Sequence, residues 1–405
     1  MGFDIMRAIT SGLDSAKRVV NKAEDALEKA GEEVLEAGEG ALHMAGDAFS
    51  KTGELVSSGA KSLGDLVSEA KNKLLEEGKE LLRLDPFESE ITRIPFDANG
   101  DPGEALVEAG KLLESGRPHE EAALKKLSPK AQANFKSVAD GISNDTRARQ
   151  SLQQMLLEGR LGETLLQNLA GVAGQTVAKG IDRNSMLADA VQEIADPSCI
   201  AQQAQNTCGG TTAQILLARQ DPAEYVRLVG GLASPEGKVK IRNGDTLERK
   251  PDWDAADGGR TVSSQLLQPA FMEQSNGKLF TYDNTKDSRS FAGVGNIPGM
   301  LSNEMANLLE DLTGKRYSHF ERISLDMADP LKFELFKSKL TKASPGHEVP
   351  VMVNYASEQN LANPHWLLVT GVKDGAVSYV NPWGQEERMP MKEFSKHLIA
   401  YVPER

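Results

Sequence analysis

Cys208 stands where a helical pattern begins, in the stretch NTCGGTTAQILLARQ, and it is one of only two cysteines in 405 residues. A thiol acting as a nucleophile must reach its thiolate form, and the unpaired N–H groups and positive dipole end of a helix start favour that form. The two glycines that follow leave room for a substrate backbone to approach. A lone cysteine is also a common small core residue, so position alone does not separate chemistry from packing. A nucleophilic thiol needs a base, and the base needs an orienting group. His365 opens one apolar run, HWLLVTGVK, and Asn381 closes the next, AVSYVN. An imidazole held on one ring nitrogen by a side-chain amide presents its other nitrogen to a thiol. His365 alone reads as a buried strand histidine; Cys208, His365 and Asn381 together have the residue types of a nucleophile, a base and an orienter for acyl transfer through an acyl-enzyme.

A hairpin must bring the last two together. Their runs flank Asp374-Gly375, a strong two-residue turn signal, and antiparallel pairing about it joins the start of one strand to the end of the other. Upstream, EVPVMVNYA alternates Val349, Val351, Val353 and Tyr355 and reads as a further strand. The helix from Cys208 carries the nucleophile. A second helix follows, with Asp221 as N-cap, Pro222 at its first position and Glu224 in its first turn. More helices are expected over 262–273 and 299–314. Residues 103–195 read as an all-helical domain of short helices, one of them opened by Ser128 and Pro129. Residues 85–102, with Pro, Gly, Asp and Asn clusters, read as a linker. Residues 1–84 are rich in Ala, Glu, Lys, Leu and Gly with apolar residues at helical spacing. Each internal glycine weakens such a helix by roughly 1 kcal/mol relative to Ala, and aromatics are nearly missing. This block is expected to stand apart from the catalytic core, as a delivery or partner-binding extension or as an inhibitory prosegment. The expected fold class is α+β: all-helical N-terminal regions, then a catalytic domain over 196–405.

Over that last region the chain resembles the papain-like cysteine peptidases. Cys208 precedes His365 at close to the family's usual separation of about 130–150 residues, and Asn381 follows His365 at the family's spacing. NPWG, residues 381–384, is similar to the family's Asn-Ser-Trp-Gly, and Gln202 lies upstream of Cys208 at the spacing of the family's oxyanion-hole glutamine, with Gln203 as a competitor for that role. The resemblance implies a two-lobed fold, in which a helical lobe presents Cys208 and a sheet lobe presents His365 and Asn381. It implies peptide hydrolysis, with Gln202 and the Cys208 N–H stabilising the oxyanion and Trp383 keeping the His365–Asn381 contact dry. The same machinery serves deamidases, transglutaminases and acyltransferases, and a papain-like scaffold also serves as a binding module without activity. Gln205 and Gly209 stand where plant and lysosomal members carry a second cysteine and an aromatic. The chain is therefore expected to be a distant member, closer to bacterial peptidases and effector toxins.

The remaining features exclude more than they add. Asp and Glu number 59 against 46 Lys and Arg, for a net charge of −13, which argues against nucleic acid and against anionic lipid as partners; a protein or peptide substrate is expected. Two cysteines and six histidines, scattered, suggest neither a disulfide framework nor a zinc site. No cofactor and no metal are expected. DAADGGRT lacks the Lys and spacing of a phosphate loop, and Asp252, Asp254 and Asp257 lack the glutamate that would complete a calcium loop. Cys199, after a Pro-Ser turn, reads as a packing residue, and His347 as a solvated turn residue. No run reaches the ~18 apolar residues of a membrane span. The first residues lack a Sec signal's basic and apolar regions, so synthesis in the cytoplasm is expected, with export, if any, by a specialised secretion system.

Overall fold

The computed structural model describes residues 92–93, 102–255, 259–277, 280–291, 294–297, 299–321, 330–355 and 364–405. The extension over 1–84 lies outside them. The described residues begin with a short strand, β1 (Thr92–Arg93). Five helices follow: α1 (Pro102–Leu124), α2 (Pro129–Gly141), α3 (Thr146–Leu157), α4 (Glu163–Gly174) and α5 (Arg183–Ala195). After a single 3-10 turn come α6 (Cys208–Gln220) and α7 (Pro222–Ala233), the β2–β3 hairpin (Lys238–Lys240, Thr246–Glu248) and α8 (Val262–Ser275). A small sheet of β4 (Phe280–Asp283), β5 (Ser288–Phe291) and β6 (Val294–Ile297) precedes α9 (Ser302–Thr313). The last part holds β7 (Phe320–Glu321), α10 (Pro330–Leu340), β8 (Val349–Asn354), β9 (Pro364–Lys373), β10 (Ala376–Asn381), β11 (Gln385–Pro390), α11 (Met391–His397) and β12 (Leu398–Tyr401). The fold is α+β, helices first and then sheet.

Local signals explain the helix starts. Ser128 accepts the Ala131 N–H with Pro129 at the first position, and Asp221 accepts the Glu224 N–H with Pro222 behind it; each cap satisfies a donor the helix itself cannot. The main sheet has seven strands in the order β1-β11-β10-β9-β8-β12-β7, antiparallel throughout. At the β9–β10 turn both Asp374 and Gly375 have positive φ, 52° and 73°, the conformation that a two-residue hairpin with right-handed twist requires.

Strand periodicity sorts the sheet's two faces. Met352, Trp366, Leu368 and Val380 join the helices in one hydrophobic core, and Val351, Leu367, Val369, Tyr379 and Met389 form a second core with Phe336 and Phe394. Both faces are covered, which is why β8 is buried at every position and reads as a nearly continuous apolar run.

Two boundaries differ from the sequence reading. The first core runs from Ala131 through Ile194 to Val402 without a break, so the helices of 103–195 and the segment from 196 share one interior. Amphipathic helices announce an apolar stripe but not the surface it will meet. The stretch 85–102, read as a linker, supplies β1, which pairs with β11 at the sheet edge through Thr92↔Arg388 and Arg93↔Glu387.

Candidate active site

Cys208 is the first residue of α6, a helix buried on all sides from Cys208 to Ala218. Thr207 occupies the N-cap position, but its hydroxyl turns away and donates to Gln268 Oε1 at 2.9 Å. The first-turn amides are thus left without a side-chain cap. Those of Cys208 and Gly209 hydrogen-bond the Cys208 sulfur, and so does the N–H of Trp366 on β9. Trp366 is anchored in turn, its Nε1 donating to the Met300 carbonyl at 2.9 Å. This amide contact brings the thiol to the residue next to His365. The glycines after Cys208 serve packing, in contrast to the expected access for substrate: a Cβ on Gly209 would lie 2.7 Å from Cβ of Met300, and one on Gly210 3.1 Å from the Gln268 carbonyl oxygen.

His365 lies near the start of β9, opposite Val353 of β8. The β9–β10 pairing places Val380 opposite Leu368 after a bulge between Ser378 and Tyr379. Asn381, one step on, reaches His365 diagonally rather than directly across. Diagonal neighbours on a sheet remain within side-chain reach, and His365 Nε2 and Asn381 Oδ1 are 2.9 Å apart. An amide oxygen only accepts, so Nε2 carries the proton and Nδ1 keeps the lone pair. The Asn381 Nδ2 group donates to both oxygens of Glu387 on β11, at 3.2 and 3.3 Å, with Asn381 and Glu387 each 0% exposed. Trp383 lies against the imidazole, centroids 4.8 Å apart, and Tyr355 packs edge-on to both rings. Trp383 thereby screens the His365–Asn381 bond from water.

Gln202 reaches the site through the other end of the hairpin. Its N–H bonds the Pro382 carbonyl at 2.7 Å, and Ala201 bridges to Trp383. Gly384, at φ +80, permits this zipper, since the left-handed backbone there would strain any other residue even though a Cβ would make only ordinary contact with Ala201. Gln202 is buried, whereas Gln203 is exposed at φ +54, so of the two glutamines Gln202 is the one placed inward. Its Nε2 donates to the Gln205 carbonyl, and its Oε1 is buried without a hydrogen-bond partner.

The electrostatics depart from the sequence expectation of a thiol poised to ionise. Burial pushes the Cys208 thiol up to about 11, against the lowering effect of the Trp366 and Gly209 amides. Burial likewise pushes His365 down to about 4, against the raising effect of the Asn381 hydrogen bond. At neutral pH both groups rest uncharged. A helix start lowers a thiol pKa only while solvent or a counter-charge helps to hold the anion, and here desolvation outweighs the dipole.

Asp287 adds to this. It sits at positive φ, 50°, between β4 and β5. Its Oδ2 accepts from the N–H and Nδ2 of Asn206, both at 2.6 Å, and its Oδ1 from Tyr282 Oη at 2.9 Å. Its negative charge further disfavours the Cys208 thiolate. Asp287→Asn is therefore expected to lower the Cys208 pKa, so that alkylation by iodoacetamide sets in at lower pH. A pH–rate profile read by mass spectrometry measures this; an unchanged or upward-shifted profile would remove Asp287 from the site.

The other sequence candidates lie elsewhere. Both cysteines are free, and burial raises Cys199 well above the ordinary thiol range. The His347 side chain is 68% exposed. Asp252 accepts the N–H groups of Asn284 and Thr285, a turn-holding role, and Asp257 lies outside the described residues. Among those residues no group of His, Cys, Asp and Glu is arranged to hold a metal ion, and no helix is long and apolar enough to cross a membrane. Sequence reasoning missed Tyr355, Asp287 and Glu387. Tyr355 was recognised only as a strand residue, and the two acids carry no motif; only the inward register of Glu387 on an otherwise alternating strand marks it. No family model matches the chain, and a search of curated proteins finds no relative.

Proposed function

We propose that this protein is a thiol-dependent acyl-transfer enzyme, a cysteine peptidase of papain-like architecture with Cys208 as nucleophile, His365 as base and Asn381 as its orienter. The observation that carries the reading is the buried His365 Nε2–Asn381 Oδ1 bond, 2.9 Å long, one residue from the amide that holds the Cys208 sulfur. A burial this complete would be a costly place for an imidazole and an amide with no task. A helix-borne thiol bonded to the amide of Trp366, next in the chain to a sheet-borne His365 that is itself bonded to Asn381, supports the papain-like architecture.

The resting pair is neutral, so the thiol proton moves to His365 Nδ1 as the sulfur attacks the substrate carbonyl. The developing imidazolium is held through Nε2–H by Asn381. The oxyanion takes the N–H of Cys208 and a hydrogen of Gln202 Nε2, a contribution of roughly 3–4 kcal/mol per donor in related sites. His365 then gives the proton to the leaving amine, the acyl group stays on sulfur, and water activated by Nδ1 releases it. A substrate bound at Cys208 would supply the hydrogen-bond partner that Gln202 Oε1 lacks in the free protein.

The test is intact mass spectrometry of the full chain after an epoxide inhibitor of thiol proteases. One adduct is expected, absent from Cys208→Ala, together with cleavage of a peptide library. No adduct on Cys208 would end the reading. An adduct with ammonia release and uncut backbones would move the reaction to deamidation, by the same residues.

A further inference from the structure

The inward face of β11 carries a carboxylate in a place where the fold calls for an apolar side chain. Along Gln385–Pro390 burial alternates, with Glu387 and Met389 inside and Glu386 and Arg388 partly in solvent. Met389 packs into the second core, whereas Glu387, 0% exposed, is turned to Asn381 Nδ2 with both oxygens, 3.2 and 3.3 Å away. Buried carboxylates are retained where they have a partner and a task.

We infer that Glu387 is a positioning residue that fixes the orientation of the Asn381 amide and, through it, the tautomer of His365. The inference rests on the triad reading above. A primary amide has two nearly isosteric orientations. With Nδ2 toward a carboxylate, which only accepts, Oδ1 must face His365, and Nε2 must hold the proton. With the amide turned over, Nδ2 would face the imidazole and require a lone pair on Nε2. The proton would then sit on Nδ1, the nitrogen that has to receive the thiol proton. Glu387 excludes that state. The Trp383 N–H, 3.3 Å from Asn381 Oδ1, favours the same orientation, so removal of Glu387 weakens the preference and does not erase it. Glu387 neither touches substrate nor transfers a proton; it acts through Asn381.

A glutamine at 387 can offer its amide either way round, so Glu387→Gln removes this residue's part of the discrimination, leaving that of the Trp383 N–H, with little change in volume. The readout is the 15N spectrum of histidine-labelled full chain, with the His365 signals assigned by their loss in His365→Asn. Wild type is expected to show the Nε2–H tautomer alone, Glu387→Gln a mixture, and Glu387→Asp recovery of the Nε2–H form. In parallel, inactivation by the epoxide is expected to slow by about 10–100-fold in Glu387→Gln, the usual cost of losing an outer-shell orienting partner, with partial rescue in Glu387→Asp. A His365 that keeps its tautomer in Glu387→Gln overturns the inference, as does a shifted tautomer with an unchanged inactivation rate. The tautomer measurement is repeated in Cys208→Ala, which has no nucleophile. Failure of the peptidase reading and failure of this one are thereby told apart.

Discussion

His365→Ala is expected to slow acylation of Cys208 by about ten-thousand-fold, the scale on which a triad loses its rate without its base. The neutral resting pair makes the dependence steep. With the thiol pushed up to about 11, the fraction already ionised at pH 7 is about one in ten thousand, so nearly every productive attack must pass its proton to the imidazole. Loss of the ring also leaves a hollow between Tyr355 and Trp383, a destabilisation on the order of 2 kcal/mol. Circular dichroism and a thermal melt separate that loss from the chemistry. The measured quantity is the second-order rate of epoxide inactivation, compared with Cys208→Ala as the zero. A His365→Ala protein that folds and reacts within tenfold of wild type would remove the base from the mechanism.

The second large effect concerns stability and lies in the helical core. Glu193 on α5 is buried among four hydroxyl donors: Tyr225, Thr261, Ser263 and Ser264. One turn earlier, Asp189 accepts the Val262 N–H at 2.9 Å. Burial, then the neighbouring charge of Glu193, pushes Asp189 from 3.8 to about 7. A carboxyl whose folded pKa is raised binds its proton more tightly when folded. Its contribution is full below pH 3.8 and is lost as pH rises toward 7. Across that window the loss is at most roughly 4 kcal/mol. Asp189→Asn keeps an oxygen for the Val262 N–H and carries no charge. It is expected to gain stability relative to wild type as pH goes from 4 to 8. Since His365, lowered by burial, titrates in part of the same range with the opposite slope, the difference between variant and wild type is the quantity to read. Denaturant melts at pH 4.5 and 8 give it, and equal gaps at the two pH values would contradict the assignment.

The His365–Asn381 contact was more legible in the sequence than its surroundings. Asp374-Gly375 made the β9–β10 hairpin readable, and with it the meeting of His365 and Asn381, although the register at the turn alone would set Asn381 opposite Leu368 and only the bulge between Ser378 and Tyr379 moves it one residue further, onto the diagonal of His365. Ser128, Asp221 and the prolines after them announced helix starts because capping is local. Glu387 was not legible, since its partner comes from the strand across the Pro382–Gly384 turn and its neighbours look like an ordinary charged edge. Asp287 reaches Asn206 from 81 residues away, a separation over which no spacing rule operates. The burial that raises the Cys208 thiol was not legible, because its local setting at a helix start favours the anion while the desolvation comes from elements far away in the chain. The division at 196 failed for a similar reason: the stripe of each helix is written locally, but its partner is not.

The uncharged state of Cys208 bears on the protein's durability in air. Peroxide and disulfides react with thiolates, not with thiols. A buried sulfur that keeps its proton at neutral pH is therefore shielded from sulfenic acid formation, with no second cysteine bonded to it. The same burial that holds the Cys208 thiol uncharged also guards it from oxidants.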